Sequence, residues 1–155
     1  MVTENKSILP VSLKYGVFIA IFYIVYTLLM QALGFTKIVE LRFINGIFLA
    51  VGVFMAIREY KLSQNGVIKY FSGFGIGFLV GAIGSFIFAL FMVLWVKIID
   101  DSFLETIRTS EYFAPNLSEW MMFMTIMVEG MWPGFILGFI AMQWFKRPDH
   151  TFSEK

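Results

Sequence analysis

The sequence predicts an all-α polytopic membrane protein with four transmembrane helices and a short extracytoplasmic helix between the third and fourth. Three observations carry this. Four long apolar stretches, roughly 15–33, 38–57, 71–99 and 120–145, hold almost no charge. An apolar run of about 20 residues rises about 30 Å as a helix, enough to cross the hydrocarbon core of a bilayer. The stretches are continuous rather than alternating, so they read as helices, which satisfy their own backbone groups in lipid. Finally, 59% of the chain is hydrophobic and its mean hydropathy is +0.78, far above the range of a soluble domain.

The first stretch follows Lys6 and Lys14 and ends near Gly34, a residue suited to close a helix. Ala32, Leu33 and Gly34 resemble a signal cleavage site, but the run is longer than a signal core and Tyr23, Tyr26 and Gln31 interrupt it, so it stays as a span. Thr36 is placed to start the second span, with Glu40, Arg42 and Asn45 at its outer end. Arg58, Glu59, Tyr60 and Lys61 then form a basic collar before a turn at Asn65 and Gly66, and Tyr60 and Tyr70 are placed as interfacial anchors. After the third span, Ser102 and Glu105 fit a capping box for a helix over about 103–112. Pro115 stops it, and the stretch 116–119 can cap the fourth span. Little lies outside the spans, so residues 1–155 read as one domain.

Charge sets an expected orientation. Lys6, Lys14, Arg58, Lys61, Lys69, Lys146, Arg147 and Lys155 fall on one side of the four-span arrangement, and Lys37, Arg42, Lys97 and Arg108 on the other. The excess puts both termini in the cytoplasm. A net charge of +1 gives no case for nucleic-acid binding. The absence of Cys removes disulfides and thiolate ligands together. The one histidine, His150, lies in the polar tail 148–155 and reads as solvated. No catalytic residues, metal ligands or cofactor site are expected. The bilayer is the expected surrounding, and a homo-oligomer or a membrane-protein partner the expected association.

Two ladders of small residues point to packing. The third span carries Gly73, Gly77, Gly81 and Ser85 every four residues, and the fourth carries Gly130, Gly134 and Gly138 at the same spacing. Small residues on one stripe let membrane helices approach closely. The ladders also match in depth: Gly77 and Gly81 lie about 9 and 15 Å from the cytoplasmic end, Gly138 and Gly134 about 10 and 16 Å. Gly77 is thus expected near Gly138 and Gly81 near Gly134.

Glu129 is the sharpest residue, about 13 Å inside the fourth span from Trp120. An ionised group near the bilayer centre costs at least ~2.5 kcal/mol and usually faces the bundle interior. Pro133, the expected kink, lacks the N–H that would bond the Glu129 carbonyl, and Trp120 and Trp132 lie on the same helix. On the first span Tyr23, Thr27 and Gln31 extend the small stripe of Gly16 and Ala20, and Gln31 and Ser85 come close to the level of Glu129. The expected cluster is Glu129, Gln31, Thr27 and Ser85, with Tyr26 or Asn45 as further members. A protonated glutamic acid bonded to neighbours is structural glue; the alternative is a proton- or cation-linked site.

The order of features resembles a family. Arg58 and a turn at Gly66 precede Val67, Ile68, Lys69, Tyr70, Phe71, Ser72, Gly73, Phe74, Gly75, Ile76 and Gly77, which lead into the long third span. An acidic outer stretch follows, and a span with Gly134, Phe135, Ile136, Leu137, Gly138 and Phe139 ends on Lys146 and Arg147. Over about residues 10–147 this is similar to the bacterial four-span inner-membrane family called domain of unknown function forty-one ninety-nine. The resemblance implies four helices and an inner-membrane location, and brings no activity or catalytic residues with it. The expected function is that of a structural or accessory membrane component, not an enzyme. The alternative is a small proton- or cation-linked transporter or channel subunit using Glu129.

Overall fold

The computed structural model describes residues 7–34, 43–99 and 118–146. The expected outer helix over 103–112, the first residues of the second span and the 116–117 part of the fourth-span cap lie outside them, as do Glu40, Arg42 and His150. Within the described residues there are four helices and no strand: α1 (Leu9–Ala32), α2 (Phe43–Ser63), α3 (Tyr70–Ile98) and α4 (Glu119–Phe145). Each is long and apolar enough to cross a membrane. Their outward faces carry large apolar side chains such as Phe43, Phe22, Leu94 and Ile140, a surface suited to lipid rather than water.

Two helices extend beyond their apolar stretches. α1 begins at Leu9, with Pro10 in its first turn, where a missing N–H costs nothing, and the Leu9 N–H donates to the Ser7 hydroxyl. α2 continues through Arg58, Glu59, Tyr60 and Lys61 to Ser63, so the expected basic collar is the last turn and a half of a helix. Tyr60 is no interfacial anchor: it is 3% exposed and packs in the core. α1 ends on Gly34 at φ +74, and the α2–α3 turn places Asn65 and Gly66 at positive φ, as Asn-Gly chemistry favours. Ser118 caps α4 by accepting from the Met121 N–H at 3.2 Å.

α3 is the hub, touching all three other helices; α1 and α4 lie on its flanks and α2 packs against each of the others. The α3–α4 seam is the tightest. A Cβ on Gly77 would lie 2.5 Å from the Gly134 carbonyl oxygen and 2.7 Å from the Gly138 Cα. One on Gly81 would lie 2.5 Å from the Gly130 oxygen and 3.2 Å from the Gly134 Cα. Backbone thus meets backbone, an approach that only glycine permits and that suits Cα–H···O contact. Gly130 faces the Ser85 side chain, and Gly73 faces Met142. On its other flank α3 repeats the device, with Gly84 against Ile19 and the Gly16 carbonyl of α1.

The main core lies in the half of the bundle that holds the termini. Ile19 and Tyr23 of α1, Val53, Ile57 and Tyr60 of α2, Ile76 and Val80 of α3 and Met142 of α4 pack there. Polar groups fasten the same end. Glu59 accepts from Lys14 Nζ and from the Tyr15 hydroxyl, each at 2.8 Å, tying α2 to α1. Lys61, 3% exposed, donates to the Phe145 carbonyl at 2.9 Å, tying α2 to the C-terminus of α4 and satisfying a carbonyl that the helix itself cannot. At the opposite end the core narrows to α3 and α4, with Met92, Val96 and Met122, and Lys97 pairs with Glu119 at 3.2 Å.

These contacts set two expectations. Gly77→Ala should destabilise the solubilised protein by about 1–3 kcal/mol, because a methyl group meets backbone that cannot yield. Gly46, with nothing within 4 Å of its added Cβ, should accept alanine with no loss and a helix-propensity gain of up to ~1 kcal/mol. Thermal unfolding in detergent compares the two, and equal effects would contradict the assignment of the seam. By the same measurement Lys14→Ala should cost at most ~1 kcal/mol, the pair being half-exposed. Glu59→Ala, which also strands the Tyr15 hydroxyl, should cost more.

Candidate functional site

α4 is apolar on all sides, so its glycine row decides which way each residue faces. Gly130, Gly134 and Gly138 turn to α3. Successive helical residues are about 100° apart, so Glu129 lies on the flank of that contact rather than in it. There it is exposed, beside an open cleft of about 490 Å³ lined by Met124, Thr125, Val128 and Glu129. Its carboxyl is within electrostatic reach of Tyr23 on α1. The cleft faces the half of the bundle where the core has narrowed to α3 and α4.

The expected cluster is therefore not a sealed interior. Ser85 is buried, but its hydroxyl donates to the Gly81 carbonyl at 2.6 Å and packs against Gly130 in the seam. Thr27 and Gln31 are half-buried on α1, continuing the face on which Gly16, Ala20 and Tyr23 are buried. Tyr23 faces inward, edge-on to Phe88 of α3 at 5.5 Å. Tyr26 packs on Phe48 of α2 at 6.0 Å. Asn45 holds its side-chain oxygen buried with no hydrogen-bond partner among the described residues, as Trp95 does its indole nitrogen.

Pro133 lies inside α4, which runs without interruption from Glu119 to Phe145, so the proline is absorbed in a continuous helix. Trp132 is exposed and stacks on Phe135 at 6.3 Å, and Trp120 stacks on Phe123 at 5.5 Å; neither ring interaction is with Glu129. Among the described residues no group of three or more His, Cys, Asp or Glu is placed to hold a metal ion. Chemically the cleft offers one carboxyl and one hydroxyl against apolar walls. It can hold a hydrogen-bond donor or a cation at membrane depth.

A second polar group went unrecognised in the sequence. Where α3 begins and α4 ends, the Gln143 amide donates to the Tyr70 hydroxyl, and Lys146 Nζ stands over the Tyr70 ring, 5.7 Å from its centroid. The signal was present: Gln143 and Lys146 are three apart, one turn of one face, at the depth where the third span starts.

No curated protein and no solved structure matches the chain. A family model described as "Protein of unknown function (DUF4199)" matches residues 14–147, from the first turns of α1 to just past the end of α4. That match takes in all four helices and the Glu129 cleft, and the chain belongs to the DUF4199 family.

Proposed function

We propose that this protein is a structural or accessory component of a membrane, not an enzyme, and that its Glu129 cleft receives a hydrogen-bond donor from a helix of a membrane-embedded partner. The observation that carries the reading is the position of Glu129. The carboxyl is exposed on the flank of the glycine seam, beside an open cleft and within electrostatic reach of Tyr23, while the half of the bundle holding the termini is filled by an apolar core. A polar group at that depth adds to helix association, an interhelical hydrogen bond being worth about 0.6–2 kcal/mol. The partner is a different membrane protein or a second copy of this chain. On α2, Gly52 faces Ile19 of α1, whereas Gly46 has nothing within 4 Å of an added Cβ and is open to such a partner.

The membrane proposed is the bacterial inner membrane, with both termini in the cytoplasm. The support is the excess of Lys and Arg on the side of the termini. The second reading, a proton- or cation-linked transporter subunit, is favoured by the same cleft at an intramembrane acid and needs another subunit to complete a path.

Photo-crosslinking from Val128 in native membranes separates these. The accessory reading expects a crosslink to a polypeptide of defined mass, kept in Glu129→Gln and lost in Glu129→Leu. Only lipid adducts, or a crosslink indifferent to both changes, would contradict it. In proteoliposomes the same reading expects no proton or cation flux that depends on Glu129. A flux abolished by Glu129→Gln would favour transport.

A further inference from the structure

The end of the bundle that holds the termini carries cations of two kinds. Lys14 is paired with Glu59 and Lys61 with the Phe145 carbonyl. Among the described residues Arg58, Lys69 and Lys146 have no carboxylate partner, and two of these flank Tyr70. Lys69 precedes it directly and is exposed, and Lys146 is held over its ring. The Tyr70 oxygen accepts from Gln143, which leaves its own O–H to donate outward. One ammonium group thus stands over the Tyr70 ring, and a second is carried by the exposed residue directly before it, at the same end of the α3–α4 seam.

Beneath that spot an aromatic strip descends along the outside of the α3–α4 seam. Tyr70 meets Phe74 at 5.1 Å and Phe139 at 6.3 Å, and Phe74 meets Phe135 at 5.1 Å. Trp132 stacks on Phe135 and ends the strip. From Gln143 to Trp132 the helix rises about 16 Å, about one leaflet of a 30 Å hydrocarbon core. Phe135, Phe139 and Trp132 are 42%, 44% and 65% exposed, so the strip is open to lipid along its length.

We propose that this face binds one anionic phospholipid, its phosphate held by Lys69, Lys146 and the Tyr70 hydroxyl and an acyl chain lying on Phe139, Phe135 and Trp132. The head and the strip are joined through one ring, Tyr70, and a phospholipid is the ligand whose charge and chain are joined in the same order. Two lysines facing one phosphate favour a lipid of net negative charge, because the ammonium of a zwitterionic headgroup would be repelled by them. Free phosphate would satisfy the head and leave the strip unused. The inference does not use the Glu129 carboxyl, which lies one turn of α4 beyond Trp132.

The test uses the full chain in nanodiscs of phosphatidylcholine, with native mass spectrometry counting phosphatidylglycerol retained against phosphatidylcholine of the same chains. The wild type should retain phosphatidylglycerol preferentially, and removing each lysine in Lys69→Ala and Lys146→Ala should cut that preference roughly fivefold. Lys69→Arg with Lys146→Arg should keep it, as should Lys14→Ala. Millimolar inorganic phosphate should not displace the lipid. Should the alanine pair fail to fold, Lys69→Gln alone, at an exposed position, reads the same effect. Equal retention of the two lipids, a preference unchanged by loss of the lysines, or displacement by inorganic phosphate would each overturn the proposal.

Discussion

The backbone contact between α3 and α4 is the constraint on which the rest of this structure depends. In lipid there is no hydrophobic drive to press one apolar helix on another, so association rests on close packing and polar contact. Gly77 and Gly81 supply the first by letting the Gly130 and Gly134 carbonyls come down onto α3. That approach fixes the rotation of α4, and with it everything α4 carries. It turns Glu129 onto the flank, and Tyr70, Gln143 and Lys146 together at the other end of the seam.

The two halves of the bundle then differ in kind. Around the termini all four helices share one core, and Lys61 and Glu59 fasten α2 to its neighbours by directional bonds. Toward the other end, among the described residues, the buried core is a small cluster of α3 and α4 with the Lys97–Glu119 pair beside it, while α1 and α2 keep ring contacts at Phe48. The cleft beside Glu129 follows from this narrowing: the helices that close the first half are not drawn in by small residues in the second. Local opening takes least free energy where buried apolar contacts are fewest, so motion of the bundle is expected on the cleft side rather than along the seam.

The seam was legible in the sequence because a four-residue spacing of glycine on two antiparallel helices fixes both a face and a depth. Helix ends were less legible. Hydropathy marks where a chain is apolar, whereas α2 continues through Arg58, Glu59 and Lys61, two of which find partners on other helices. Tyr60 read as an anchor for the same reason, its burial depending on the turn of helix that hydropathy left out. For Glu129 the general cost of a charge in lipid predicts an inward-facing carboxyl, whereas the side chain is exposed on the flank of the α3 contact, within electrostatic reach of Tyr23. The stricter guide lay next to it: with Gly130 committed to α3, residue 129 must stand about 100° aside. Charge pairs such as Lys14–Glu59 join residues 45 apart and leave no local pattern to read.

The central claim, that α3 and α4 meet backbone to backbone, can be measured without altering a side chain. Solid-state NMR of the protein in lipid bilayers, with glycine labelled at Cα, reads through-space transfer between glycines of different helices. The account predicts cross-peaks joining Gly77 to Gly138 and Gly81 to Gly134. Their absence, in spectra where neighbouring glycines of one helix such as Gly73 and Gly77 do exchange magnetisation, would contradict it.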